Sequence, residues 1–271
     1  MKLDRPTRGL LLALLLSCGC GLSTYEERLQ LTDQRNRYFA KLDSTLDGFW
    51  SQPMYGLWLR PPQGLYGVPA PVKPKDADEP PPDLRQEFQG VPLDLPGIVQ
   101  AWDGMLPTAG GGTGPYRLYL LSNHSRYTRN EESVGQSNDP KDYFRDLEIV
   151  LQNLFGVEVP PGDTGRADEN NVKYRMQIPT TPQFVIPKTY QAVNFVPLEE
   201  GRQPFHGWLF EYTAGQIQFA VLMLTPPNPS NDVRQGLLTS LETLQLSAQT
   251  PAPSAGAPSG GGGAGGAPAG F

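Results

Sequence analysis

The sequence predicts an α+β domain, an antiparallel sheet flanked by helices, preceded by a membrane-proximal amphipathic helix and followed by a disordered C-terminal tail. Three observations predict it. "FHGWLFEY" (205–212) and "QIQFAVLML" (216–224) flank Thr213-Ala214-Gly215, which reads as a hairpin with a three-residue turn and glycine at the positive φ. "NDPKDYFRDLEIVLQNLFG" (138–156) places Tyr143, Phe144, Leu147, Val150, Leu151, Leu154 and Phe155 on one broad helical face, wide enough to lie across a sheet. The hairpin strands carry apolar residues on both faces, Trp208 and Phe210 beside Leu209, and Ile217 and Phe219 beside Leu222, so both sides need cover.

The elements follow in order. Lys2, Arg5 and Arg8 precede an apolar run from Gly9 to Leu16, and small residues and cysteines then take over in "SCGCG" (17–21). A membrane-crossing helix needs roughly 20 apolar residues, so this run is too short to span. Basic flank, short apolar stretch and small-residue exit are the three parts of an export signal, and residues 1–20 read as a processed leader. Its end resembles the lipobox of bacterial lipoproteins with a type II signal peptide, in which a thiol just past the cleavage site receives a diacylglycerol. Leucine three positions upstream favours Cys18 and glycine immediately upstream favours Cys20; Cys18 is placed first and Cys20 second. No cysteine follows position 20, so packing rather than a disulfide framework must stabilise the body.

Residues 21–48 read as the membrane-proximal helix. Ser23 and Thr24 precede Glu26 and Glu27 as overlapping capping boxes, and Tyr25, Leu29, Tyr38, Leu42 and Leu46 recur near helical multiples up to Asp47-Gly48. Such a stripe packs on the protein's own core or serves as a stalk or partner-binding helix, and the first reading is preferred.

Residues 49–115 read as a short strand at "YGLWLR" (55–60) and a Pro/Gly-rich crossover, with ten prolines between 61 and 96. "VPAPVKPKDADEPPPD" (68–83) reads as extended surface chain rather than a docking ligand. "TAGGGTG" (108–114) lacks the Lys-Ser/Thr pair of a phosphate cradle and reads as a flexible loop.

Residues 116–247 read as the α+β core. "YRLYLLS" (116–122) is a strand, and Asp139, Pro140 and Gly156 cap, open and stop the helix after it. Strands follow at "VKYRMQI" (172–178) and "TYQAVNFV" (189–196), then the hairpin, then a helix over "NDVRQGLLTSLETLQL" (231–246) with Asn231 as its cap. The ending, tyrosine, turn, apolar strand, proline and the "SLETLQL" helix, resembles the PsbP-like fold, and the resemblance implies architecture alone. Helix after acylated cysteine and Gly/Pro-rich ending also resemble a family of uncharacterised bacterial lipoproteins that carries over no catalytic residue. Residues 248–271, rich in Gly, Pro and Ala, have almost nothing to bury and read as disordered.

Charge narrows the function classes. The full chain carries a net charge of −6, and loss of the leader's three basic residues and one acid moves it to −8. An acidic body argues against nucleic acid and against electrostatic adhesion to anionic lipid, so an acyl anchor must hold it on a membrane; each buried methylene contributes roughly 0.8 kcal/mol.

The candidate chemistry is sparse. Only two histidines exist, His124 in "SNHSR" and His206 in "PFHGW", and no metal site, cofactor or catalytic residue is assigned to them. Ser137 in "GQSND" lacks the second glycine of a nucleophile elbow, because Asp139 stands there. The acidic loop "GDTGRADENN" (162–171) offers oxygen ligands without EF-hand spacing and reads as a solvated turn. Trp50, Trp58, Trp102 and Trp208 read as core before sugar-stacking surfaces, and Phe271 as the end of a tail. The expected function is a lipid-anchored cell-envelope module, exposed to the periplasm or exterior, that binds or assembles with an envelope partner without catalysis. A His-dependent envelope hydrolase and a carbohydrate- or wall-binding domain are the alternatives.

Overall fold

The computed structural model describes residues 20–72, 81–128, 139–180, 184–198 and 203–247. Leader residues 1–19, including Cys18, lie outside it, as do Ser137 and the tail 248–271 with Phe271. The chain forms two compact units, one ending at Leu46 and one beginning at Asp47.

The first unit is helix α1 (Cys20–Thr45), which opens ahead of the Ser23-Thr24 capping pairs. Arg37 bridges Asp33 one turn back at 2.7 Å, while Tyr25, Leu29 and Phe39 are exposed. Charged and polar residues interrupt the apolar positions, so the helix is only weakly amphipathic.

The second unit begins with β1 (Trp50–Gln52) and β2 (Leu57–Leu59), then β3 (Tyr66–Val68). A short hairpin, β4 (Glu87–Phe88) and β5 (Val91–Pro92), turns at Gln89-Gly90, both with positive φ. Two ten-residue strands follow, β6 (Ile98–Pro107) and β7 (Thr113–Ser122). Helix α2 (His124–Thr128) and helix α3 (Tyr143–Phe155) precede β8 (Lys173–Ile178) and β9 (Lys188–Phe195). The chain closes with β10 (His206–Ala214), β11 (Ile217–Thr225), helix α4 (Asn231–Thr243) and β12 (Gln245–Leu246).

Seven strands form one antiparallel sheet in the order β3-β6-β7-β11-β10-β9-β8, and β1, β2 and β12 form a small second sheet. Alternation divides the large sheet's side chains between two cores. Leu118, Leu120, Phe210, Phe219 and Val221 point to one face, where they pack with Val233, Leu237 and Leu241 of α4 and with Leu57 and Leu59 of the small sheet. Tyr119, Leu121, Leu209 and Leu222 point to the other, against Tyr143, Leu147, Leu151 and Phe155 of α3 and against Phe88, Leu93 and Leu95. The predicted helix-covered antiparallel sheet is therefore present.

Four local expectations are corrected. The stretch read as crossover contains β3 and β6, which belong to the main sheet; in "TAGGGTG" residues 108–112 form the expected loop, here joining β6 to β7, and Thr113 and Gly114 open β7. Ala214 pairs with Ile217, so the hairpin loop has two residues and not three, with Gly215 at φ 61°. Ser230, rather than Asn231, caps α4, its hydroxyl accepting from the Val233 N–H at 3.3 Å. Asp139 caps a 3-10 turn over Pro140–Asp142 that leads into α3, accepting from Lys141 N at 2.9 Å; Gly156 ends that helix at φ 64° as expected.

Candidate functional site

The sequence-derived residues scatter. Cys20 is the first residue of α1. Ser122 ends β7, two residues before His124, and their side chains meet at 2.6 Å between Oγ and Nδ1. Both are 1% exposed, the Ser122 hydroxyl also donates to Gln218 O at 3.0 Å, and the imidazole stacks on the Tyr55 ring at 4.6 Å. His124 Nε2 is buried with no hydrogen-bond partner among the described residues, and burial lowers the imidazole pKa to about 4. A serine–histidine pair that hydrolyses needs a substrate path to Oγ and an orienting group on the second nitrogen, and the burial of this pair leaves no path. It is packing, organised by a two-residue spacing.

His206 pairs with Thr225, six residues along β11 from the Phe219 that pairs with Ser122, so the histidines sit roughly 20 Å apart at opposite ends of the sheet. Burial lowers the His206 pKa as well. Among the described residues no three His, Cys, Asp or Glu side chains converge to hold a metal ion. The acidic loop spends its carboxylates internally. Asp163 pairs with Arg175, Glu169 accepts from Arg166 N at 3.0 Å, and Gly165 N donates to Lys173 O at 2.9 Å, which lays the loop along the edge strand β8. Trp102 and Trp208 are core, Trp50 packs edge-on against Trp102 at 5.3 Å, and Trp58 is partly exposed on the small sheet.

The arrangement with the shape of a binding site lies elsewhere, at the β3–β6–β7 end of the large sheet. A groove of 680 Å³ runs between Tyr66, Met105 and Pro115 and the Phe88–Gln89 turn. Strand register builds it. Tyr66 lies opposite Asp103, and Asp103 lies opposite Arg117, so ring, carboxylate and guanidinium form one row across three strands on one face. Met105 lies two residues on, opposite Pro115, in the next row of that face. Arg117 is locked: Nη2 donates to Asp103 Oδ2 at 3.0 Å, Nη1 to Leu84 O at 3.0 Å and to Glu87 O, and the guanidinium lies 5.3 Å over Phe88. Tyr66 is 74% exposed and Met105 59%, whereas Arg117 is largely buried.

Sequence reasoning missed this groove because β3 and β6 were read as crossover. The available signal was "IVQAWDGML" (98–106), apolar enough for a strand and followed by a glycine-rich turn and a second strand. No protein-family model matches the chain, and no curated protein matches it. Among the described residues no helix is long and apolar enough to cross a membrane.

Proposed function

We propose that this chain is a lipid-anchored cell-envelope lipoprotein whose body is a non-catalytic binding or assembly module for an envelope partner. The observation that carries it is the order of the N-terminal residues: Lys2, Arg5 and Arg8, the apolar run to Leu16, the thiols of Cys18 and Cys20, and a 26-residue helix starting at the second thiol. That order supplies an export signal, an acyl acceptor and, next in the chain, a helix about 39 Å long. The buried Ser122–His124 pair and the open groove favour binding over hydrolysis, since the first offers no substrate path and the second is lined by one carboxylate, Asp103, held by Arg117, where glycoside hydrolysis uses a pair.

The test is acylation. Replacing both Cys18 and Cys20 by alanine abolishes labelling by a fatty-acid probe and moves the chain from the membrane to the soluble fraction. An intact Met1 without an acyl adduct in the purified parent, or a double variant still tightly on the membrane, refutes the anchor.

A further inference from the structure

The groove at the β3–β6–β7 end is neutral within itself, although the chain as a whole is acidic at −6. Its carboxylate, Asp103, remains 47% exposed while Arg117 holds Oδ2, so lone pairs still face the groove from an acceptor that cannot swing away. A cationic ligand approaching Asp103 meets the guanidinium already 3.0 Å from that carboxylate. An anion meets the remaining carboxylate lone pairs; Arg117 Nη1 and Nη2 already donate to Leu84, Glu87 and Asp103, and its Nε, unpartnered among the described residues, is buried out of an anion's reach. What remains is an uncharged ligand rich in hydroxyl donors.

The neighbours of Asp103 narrow the class further. Tyr66 lies opposite Asp103 in the strand register and is mostly exposed, and Met105 is exposed in the adjoining row. An aromatic face carries negative quadrupole density and favours polarised C–H groups laid flat against it. A pyranose ring presents such a C–H face together with equatorial hydroxyls at its rim. The Phe88 wall is fixed by the Gln89-Gly90 turn, with φ of 52° and 77°, and by the Arg117 bonds, so a ligand would find the cleft preformed.

We propose that this groove binds an uncharged pyranose unit of a glycan, stacked on Tyr66, with its hydroxyls donating to Asp103. The inference rests on the binding-module reading above and is independent of acylation. The experiment titrates the purified full chain with chitotriose, maltotriose and tetramethylammonium, following binding by NMR and product formation in the same samples. One trisaccharide saturates the protein with Kd at or below about 1 mM. Tyr66→Ala weakens it at least about tenfold without changing the melting temperature, because the exposed ring supports no core; Asp103→Asn weakens it as well. Absence of binding by both trisaccharides, equal binding by Tyr66→Ala, or tighter binding of tetramethylammonium overturns the proposal. Cleavage of a bound trisaccharide would sink the non-catalytic reading and leave the glycan site standing.

Discussion

Glu211→Gln isolates one buried proton. Glu211 sits on β10 beneath α3, 3% exposed, with its carboxyl facing the Glu148 carboxylate. Around it stand Glu148 of α3, which pairs with Lys173 of β8, and the buried Tyr143, beside the Arg126 guanidinium. Burial pushes the Glu211 carboxyl well above its ordinary 4.5; the Glu148 charge adds to the rise and Lys173 opposes it. The folded chain therefore keeps this proton at pH values where the unfolded chain has lost it. Folding takes up one proton across that window, so the Glu211 contribution is fully present below pH 4.5 and is lost as pH rises toward the raised folded pKa. The slope is about 1.4 kcal/mol per pH unit, or about 3–5 °C in Tm for a unit of this size.

The histidines run the other way. Burial depresses His124 to about 4 from 6.5, so its contribution is complete above pH 6.5 and is lost as pH falls through the folded value; His206 shifts in the same direction. Below pH 6.5 the opposing slopes partly cancel in the parent protein. Glutamine keeps the shape of the neutral acid and removes its proton, so subtracting the Glu211→Gln curve cancels both histidines and leaves the Glu211 slope alone. Urea unfolding of both proteins at half-unit steps is the assay. The variant gains on the parent by about 1.4 kcal/mol for each unit above roughly pH 5. Parallel curves from about pH 5 to about pH 7 would show that Glu211 is ionised in the folded state and refute the reasoning.

Two further substitutions test the packing. Ser122→Ala strips His124 Nδ1 of its buried partner and lowers stability by about 1–3 kcal/mol, read by urea unfolding, while hydrolysis of p-nitrophenyl acetate stays at the parent's level; a drop in hydrolysis would show the pair to be catalytic. Gly104→Ala drives a Cβ into the Gly64 carbonyl on the tight approach of the 62–65 loop to β6, and it costs about 1–3 kcal/mol in the same assay; an unchanged midpoint would mean that the loop yields freely.

Helices and central strands were legible because their signals are local. Asp139, Pro140 and Gly156 bracket α3 within one segment, and "FAVLML" on β11 is apolar at every position because β11 is covered on both faces. The cap of α4 moved by one residue because Ser230 and Asn231 are both good caps, and backbone geometry at Ser230, extended at ψ 152°, chooses between them. β3 escaped notice because three residues show no periodicity, and β6 because Gly104 and the bulge between Ile98 and Gln100 break its alternation. The Ser122–His124 pair has the composition of a hydrolytic pair, and only burial identifies it as core.

The groove illustrates the harder limit. Tyr66 and Asp103 lie 37 residues apart in the chain and Arg117 a further 14, and none is distinctive in its own segment. They become neighbours only through the registers of two ladders, and a one-residue slip of either would turn a member of the row to the opposite face. Sheet size then decides why the row stays open. Helix α3 has 13 residues and covers roughly 20 Å, so it shields the middle strands through Leu147, Leu151 and Phe155. The 84–95 segment covers the next strip through Phe88, Leu93 and Leu95, and the Arg117 bonds to Leu84 and Glu87 fasten it there. Beyond Phe88 the rows of Tyr66 and Met105 remain uncovered, which places the accessible aromatic and the fixed carboxylate at the border between packed and bare sheet. A wider helical cover would have buried that row, and a freer Arg117 would have left Asp103 unoriented; the site exists because the cover stops one strand short while the guanidinium does not.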